Sequence, residues 1–204
     1  MSEQNSLLLE TIKIEEGIIS NLNYHQARFD KSREILFNTK KPLYLASIIQ
    51  APDKKLYRCR VLYNDKIQSI EYIPYQAKQI RNIKLVSSKI DYSFKYADRT
   101  ELDALLSKHN DADEILIEKN TYLTDTSISN IAFYDGKYWF TPKHPLLEGT
   151  MRKKLIDEGF LHTKNIRKET LSNYTHVALM NAMVGFKILK NITLYDETGR
   201  NYDY

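Results

Sequence analysis

Asp91-Tyr92-Ser93-Phe94-Lys95-Tyr96 (DYSFKY) runs directly into Ala97 to Leu105 (ADRTELDAL), and this stretch sets the reading of the whole chain. Aromatic residues flank the lysine on both sides, so the pattern predicts a strand from Ile80 to Lys95 whose last residue is partly withdrawn from water. Desolvation disfavours the ammonium form and makes such a lysine a usable nucleophile toward an aldehyde. On these residues alone, an ordinary lysine at a strand end is the simpler reading of Lys95. Just downstream, Arg99 to His109 (RTELDALLSKH) has the apolar spacing of an amphipathic helix, and Asp113 to Glu118 (DEILIE) reads as a buried strand.

Toward the N-terminus, Leu7 to Ile14 (LLLETIKI) and Ile18-Ile19 predict a β-hairpin that turns at Gly17. A helix is expected from Asn23 to Asn38, with Tyr24, Ala27, Phe29, Ile35 and Leu36 as its apolar stripe, then a short helix and loop over Lys41 to Pro52. Leu56 to Tyr63 and Ile67 to Ile73 are two strands joined around Asn64-Asp65. Pro74-Tyr75-Gln76 breaks the pattern and places a boundary between a small α+β domain, 1–75, and a larger α+β domain, 78–204, that carries Lys95. Toward the C-terminus, strands are expected at Tyr122-Leu123, Ile131 to Tyr134, Tyr138 to Phe140 and His176 to Met180. Helices are expected at Thr150 to Glu158 and Lys168 to Tyr174.

Composition removes several function classes. With 42% hydrophobic residues the chain can bury a real core, while its net charge of +4 comes from scattered basic clusters rather than the concentrated face that nucleic acid requires. The single Cys59 cannot form an intramolecular disulfide, and five dispersed histidines offer no metal-ligand spacing. Leu7 to Leu9 is too short for a signal-peptide core after the polar Met1 to Ser6, and no apolar run approaches membrane-spanning length, so the expected compartment is the cytoplasm. The six glycines make neither G-x-G-x-x-G nor a P-loop, and no G-x-S-x-G elbow is present.

Three further segments carry polar residues that chemistry could use. In Tyr24 to Phe29 (YHQARF), His25 and Arg28 stand one helical turn apart on one face. Asp125, in Leu123 to Asn130 (LTDTSISN), is either a turn former or a placed acid. Leu146 to Arg152 (LLEGTMR) puts Gly149 and Thr150 at a helix start, an ordinary feature that can also receive a phosphate on its amide groups.

Taken in order, H-x-x-R, a lysine after a strand, an acid five residues before Asn130 and L-x-G-x-x-R resemble the class IV aminotransferase family, the fold-type IV enzymes of pyridoxal 5'-phosphate (PLP). The resemblance implies a two-domain α+β fold like that of D-amino-acid aminotransferase, shortened at the N-terminus, with the cofactor in the cleft between the domains and a homodimer as the assembly. Lys95 would carry PLP and serve as the acid–base group, Arg28 would pair with its phosphate, and Asp125 would face the pyridine nitrogen, where relatives usually have Glu. Leu147 would lie against the ring, and Gly149, Thr150 and Met151 would complete the phosphate site. Asp91 to Leu105, Thr141-Pro142 and Met180-Asn181-Ala182-Met183 look most like aminodeoxychorismate lyases, which release pyruvate and 4-aminobenzoate for folate synthesis.

The departures bear on substrate. Asp125 is shorter than Glu by one carbon–carbon bond, about 1.5 Å. Tyr63-Asn64 stands where many relatives have Arg-Gly, and Arg58 and Arg60 alternate to the other strand face. His25, Arg60, Tyr63 and Asn181 are the substrate-side candidates, Asn181 as a hydrogen-bond partner for a substrate carboxylate. The expected function is therefore an aminodeoxychorismate lyase-like reaction. A class IV amino-acid aminotransferase is the alternative, and a non-catalytic scaffold or binder of a phosphorylated small molecule is the reading of another class.

Overall fold

The computed structural model describes residues 7–204, so the reading of Met1 to Ser6 lies outside the described residues. The chain divides into two compact units, one running to Ala77 and taking in Phe94–Asp98, the other made of Lys78–Ser93 and Arg99–Tyr204.

The first unit is built on the expected hairpin. β1 (Leu8–Glu15) and β2 (Ile18–Ile19) are joined by Glu16 and Gly17, both at positive φ (52° and 78°), the twist that a two-residue hairpin loop needs. β3 (Tyr57–Tyr63) and β4 (Ile67–Pro74) complete an antiparallel sheet in the order β2-β1-β3-β4. Alternation puts Leu8, Ile12 and Ile14 of β1 on the core face with Cys59, Val61 and Tyr63 of β3, against Phe29, Leu45 and Ile49. The last three come from or follow α1 (Leu22–Phe37) and α2 (Leu45–Ile48).

α1 differs from its expected stripe: Ile35 is 56% exposed, and the buried residues are His25, Phe29, Ser32 and Arg33. They follow the i, i+4, i+7 spacing of one helix face, so two basic residues sit where apolar ones were expected. Arg33 is satisfied by the Lys41 and Asp65 carbonyls, which accept from its guanidinium at 2.9 and 2.8 Å.

Lys95 belongs to this first unit, not to the larger one, and it does not end a strand. The Leu9 N–H donates to the Lys95 carbonyl at 2.9 Å, Ala97 N–H donates to the Leu7 carbonyl at 2.8 Å, and Tyr96 pairs with Leu8. β5 (Asn82–Ser87) stops earlier because side chains then capture the backbone: Ser88 Oγ accepts from Ile90 N–H and Asp91 from Ser93 N–H.

The second unit continues with α3 (Thr100–Ser107), β6 (Glu114–Lys119), β7 (Tyr122–Thr126), β8 (Asn130–Tyr134), β9 (Trp139–Pro142), α4 (Thr150–Asp157) and β10 (Leu161–Lys164). A 3₁₀ helix (Lys168–Asn173) replaces the expected α-helix, and β11 (His176–Asn181), β12 (Gly185–Ile188), β13 (Thr193–Tyr195) and β14 (Asn201–Asp203) close the chain. The sheet runs β10-β9-β8-β7-β6-β5-β13-β14, with β11 pairing with β8 and β12. Successive residues of its inner strands feed two cores. Ile131 and Phe133 of β8, with Val177 and Leu179 of β11, join one cluster; Ala132, Ala178 and Met180 join the other, beneath Leu155 of α4. Burial on both faces explains why these strands read as continuous apolar runs. Among the described residues no helix is long and apolar enough to cross a membrane.

Candidate active site

In the first unit the chemistry gathers around a residue that the pattern of β1 conceals. Glu10 falls in period-two register with Leu8, Ile12 and Ile14 and is fully buried on the core face. Its carboxylate accepts from Arg28 Nε and Nη2 at 2.8 and 2.7 Å and meets His25 Nδ1 at 2.6 Å. Burial alone would raise its pKa, but the Arg28 guanidinium and the His25 hydrogen bond outweigh that and hold it at about 2. The paired geometry expected of His25 and Arg28 is present, and both side chains point at Glu10.

Burial, reinforced by the charges of Arg28 and Lys95, lowers the pKa of His25 against the opposing pull of Glu10. A neutral imidazole with its proton on Nδ1, donated to the carboxylate, is the form that fits. Lys95 is half-buried and close enough to His25 for its charge to be felt there. Arg28 therefore orders the fold, because removing it would leave a buried carboxylate short of its main counter-charge.

In the second unit Asp125 is 4% exposed. Its Oδ1 accepts from Asn130 Nδ2 at 2.7 Å and its Oδ2 from the Leu147 N–H at 2.9 Å, while the same Asn130 amide donates to the Leu147 carbonyl at 2.9 Å. Burial pushes the Asp125 pKa up to about 6, restrained by these donors and by the charge of Arg152. Two residues beyond Leu147, Gly149 caps α4, with Thr150 and Met151 in its first turn, where amide groups and the positive end of the helix favour an anion. The acid and the helix start are thus tied together through Leu147 and Asn130. Arg152, buried one residue further on, donates from Nη2 to the Pro142 carbonyl at 2.9 Å.

Gly149 has φ −68° and ψ 142°, which any residue adopts, so its need for glycine is purely steric. A Cβ there would lie 2.0 Å from Asn130 Oδ1. Gly149→Ala should therefore displace Asn130 and lower stability by about 1–3 kcal/mol, read in urea unfolding. The same change made in an Asn130→Ala background should cost much less. Equal costs in both backgrounds would show that the contact does not decide the residue.

The structure places the other three substrate-side candidates in contacts within the protein. Tyr63 is 1% exposed, packed at a tilt against Phe29 with ring centroids 4.5 Å apart inside the core, with its hydroxyl on Ser32 and its pKa raised by burial. Arg60 lies on the opposite face of β3, where its Nη1 donates to Glu71 at 2.8 Å. Asn181 has every position of its amide engaged within the protein. Oδ1 accepts from Met183 and Val184 N–H, both at 2.9 Å, and Nδ2 donates to Ser129 Oγ at 2.9 Å and the Ile128 carbonyl at 3.3 Å. Glu10 was missed in the sequence, although an acid in phase with Leu8, Ile12 and Ile14 is a signal that a buried cation must answer it.

A model of the amino-transferase class IV family matches residues 7–192, nearly the whole described chain. The protein belongs to the class IV aminotransferase family and is an enzyme of that type. A Haemophilus influenzae protein named only as uncharacterized is 40% identical over 184 residues, covering 87% of this chain and 98% of its own. The crystal structure of a "putative 4-amino-4-deoxychorismate lyase" from Haemophilus somnus 129PT is 40% identical, with a TM-score of 0.81 over 89% of this chain and 98% of that one. At 14% identity the likeness is of fold alone: the PLP-bound form of a hypothetical aminotransferase from Mycobacterium tuberculosis gives a TM-score of 0.75 over 98% of this chain and 84% of that one.

Proposed function

We propose that this enzyme is a PLP-dependent lyase that converts 4-amino-4-deoxychorismate into 4-aminobenzoate and pyruvate. The observation that carries the reading is Asp125, a buried acid held by the same Leu147 segment that leads into the N-terminus of α4. An acid for a pyridine nitrogen and an anion-binding helix end are the two groups that a phosphorylated pyridine asks for. A lysine near a partly buried Arg and a neutral His suits a carbonyl-bearing ligand. The donor set fits PLP. The lyase name carried by the Haemophilus somnus relative supports the particular reaction.

When bound, PLP supplies an aldehyde for the substrate amine and a protonated ring that accepts electrons from the adjoining carbon. Lys95 would hold the cofactor until substrate displaces it, and its freed amine would then take the proton from the amine-bearing carbon. Asp125 would keep the proton on the pyridine nitrogen. Arg28, with the first-turn amides of Thr150 and Met151, would bind the phosphate, and Leu147 would support the ring.

The lyase needs less of the protein than a transaminase does. An aminotransferase must clamp the carboxylates of two successive substrates, yet Arg60 is paired with Glu71 and Tyr63 lies in the core. In the lyase, expulsion of the enolpyruvyl group is driven by aromatisation of the ring. Coupled assays decide the matter: pyruvate and 4-aminobenzoate should form from aminodeoxychorismate, with only slow half-transamination of ordinary amino acids. Robust turnover of amino acids with aminodeoxychorismate untouched would replace this reading with the aminotransferase.

A further inference from the structure

The turn that joins β7 to β8 carries Asp125 at one end and Asn130 at the other, and the two residues pair directly across it. Inside the turn Thr126 N–H and Oγ1 both donate to the Ser129 carbonyl, at 2.9 and 3.0 Å, and Ser129 N–H donates back to Thr126 Oγ1 at 3.0 Å. Thr126, Ser127, Ser129 and Asn130 are all buried, while Ile128 between them is 44% exposed.

Side chains from three other places in the same unit hold this turn. Glu114, at the start of β6, accepts the Ser127 N–H on Oε1 at 3.1 Å. Arg99, just ahead of α3, donates to the Ser127 carbonyl at 3.0 Å. Asn181, at the end of β11, donates to the Ile128 carbonyl and to Ser129 Oγ while its Oδ1 caps the Met183-Val184 turn. Residue 127 is therefore held from β6 and from the segment ahead of α3, and residues 128 and 129 are both held by Asn181 at the end of β11.

We propose that Asn181 is a positioning residue: it fastens the β11–β12 turn to the Ile128-Ser129 segment, and through Asn130 it keeps the Asp125 carboxylate in its orientation. The role of Asp125 in this statement rests on the proposed function; the fastening does not. A donor and acceptor set that is fully used inside the protein is suited to fixing a geometry, since any bond to substrate would require breaking one already made. Asn130 is the relay, because it touches both Asp125 and the Leu147 carbonyl.

The test compares Asn181→Ala, Asn181→Asp, Ser129→Ala and the Asn181→Ala/Ser129→Ala double variant. Hydrogen–deuterium exchange is followed in the peptide covering residues 125–130, first without cofactor. Loss of two neutral hydrogen bonds should speed exchange there about ten-fold in Asn181→Ala. Asn181→Asp retains the acceptor for Met183 and Val184 but loses the donors, so it should exchange like the alanine variant. Ser129→Ala should show part of the effect, and the double variant should add little to Asn181→Ala alone.

With PLP and aminodeoxychorismate, Asn181→Ala should lower kcat while leaving KM within about two-fold, since no substrate bond is lost. Unchanged exchange in Asn181→Ala, wild-type exchange in Asn181→Asp, or a rise in KM at constant kcat would each overturn the proposal; the last would make Asn181 a substrate contact. The exchange arm uses neither cofactor nor substrate. A wild-type protein without turnover would thus refute the proposed function while exchange still decides the fastening.

Discussion

Borohydride treatment of the PLP-loaded protein is expected to fix the cofactor on the peptide containing Lys95, and Lys95→Ala is expected to lose turnover by about 10³-fold or more. The lysine is held at a defined place by backbone contacts on both sides: its own carbonyl accepts from Leu9 N–H, and Ala97 N–H donates to Leu7. Those bonds use main-chain atoms only, so truncating the side chain should leave the segment docked. Near-wild-type unfolding of Lys95→Ala, together with lost labelling, would separate chemistry from folding. Labelling at another lysine, or full turnover without Lys95, would refute the assignment.

Asp125→Asn should retain PLP but lose turnover by about 10²-fold or more, because a neutral amide cannot keep a proton on the pyridine nitrogen. It also yields a pH test in the cofactor-free protein. Burial raises the Asp125 pKa from 3.8 to about 6, so the folded state holds this proton to higher pH than the unfolded chain does. The group's contribution to stability is complete below the unfolded value and is lost as pH rises through about 6. Wild-type unfolding free energy, measured against that of Asp125→Asn, should fall by about 2 kcal/mol between pH 4 and pH 7. Glu10 has the opposite sign, its stabilisation fading only as pH falls from 4.5 toward about 2, and it is common to both proteins. A flat difference across that window would mean that Asp125 is not buried as described.

The parts legible in the sequence were those governed by short periods. Hairpins at Glu16-Gly17 and at Asn64-Asp65, the helix that places His25 and Arg28 on one face, and α4 beginning after Gly149 all follow from patterns a few residues long. The strands β10, β12, β13 and β14 were not legible, since each has only three or four residues and too few alternations to register.

The sequence by itself determined the inventory: a lysine between aromatics, an acid five residues before an asparagine, a glycine at a helix start and a helix with His and Arg one turn apart. Such features depend on neighbours along the chain, where backbone periodicity fixes which side chains share a face. Tertiary structure alone decided the partners. It set Glu10 between His25 and Arg28, docked Lys95 on β1 rather than ending β5 with it, buried Tyr63, and tied Asn181 to a turn more than fifty residues away. A buried polar group must be answered by a partner wherever the fold brings one, and sequence spacing carries no record of which distant residue that will be.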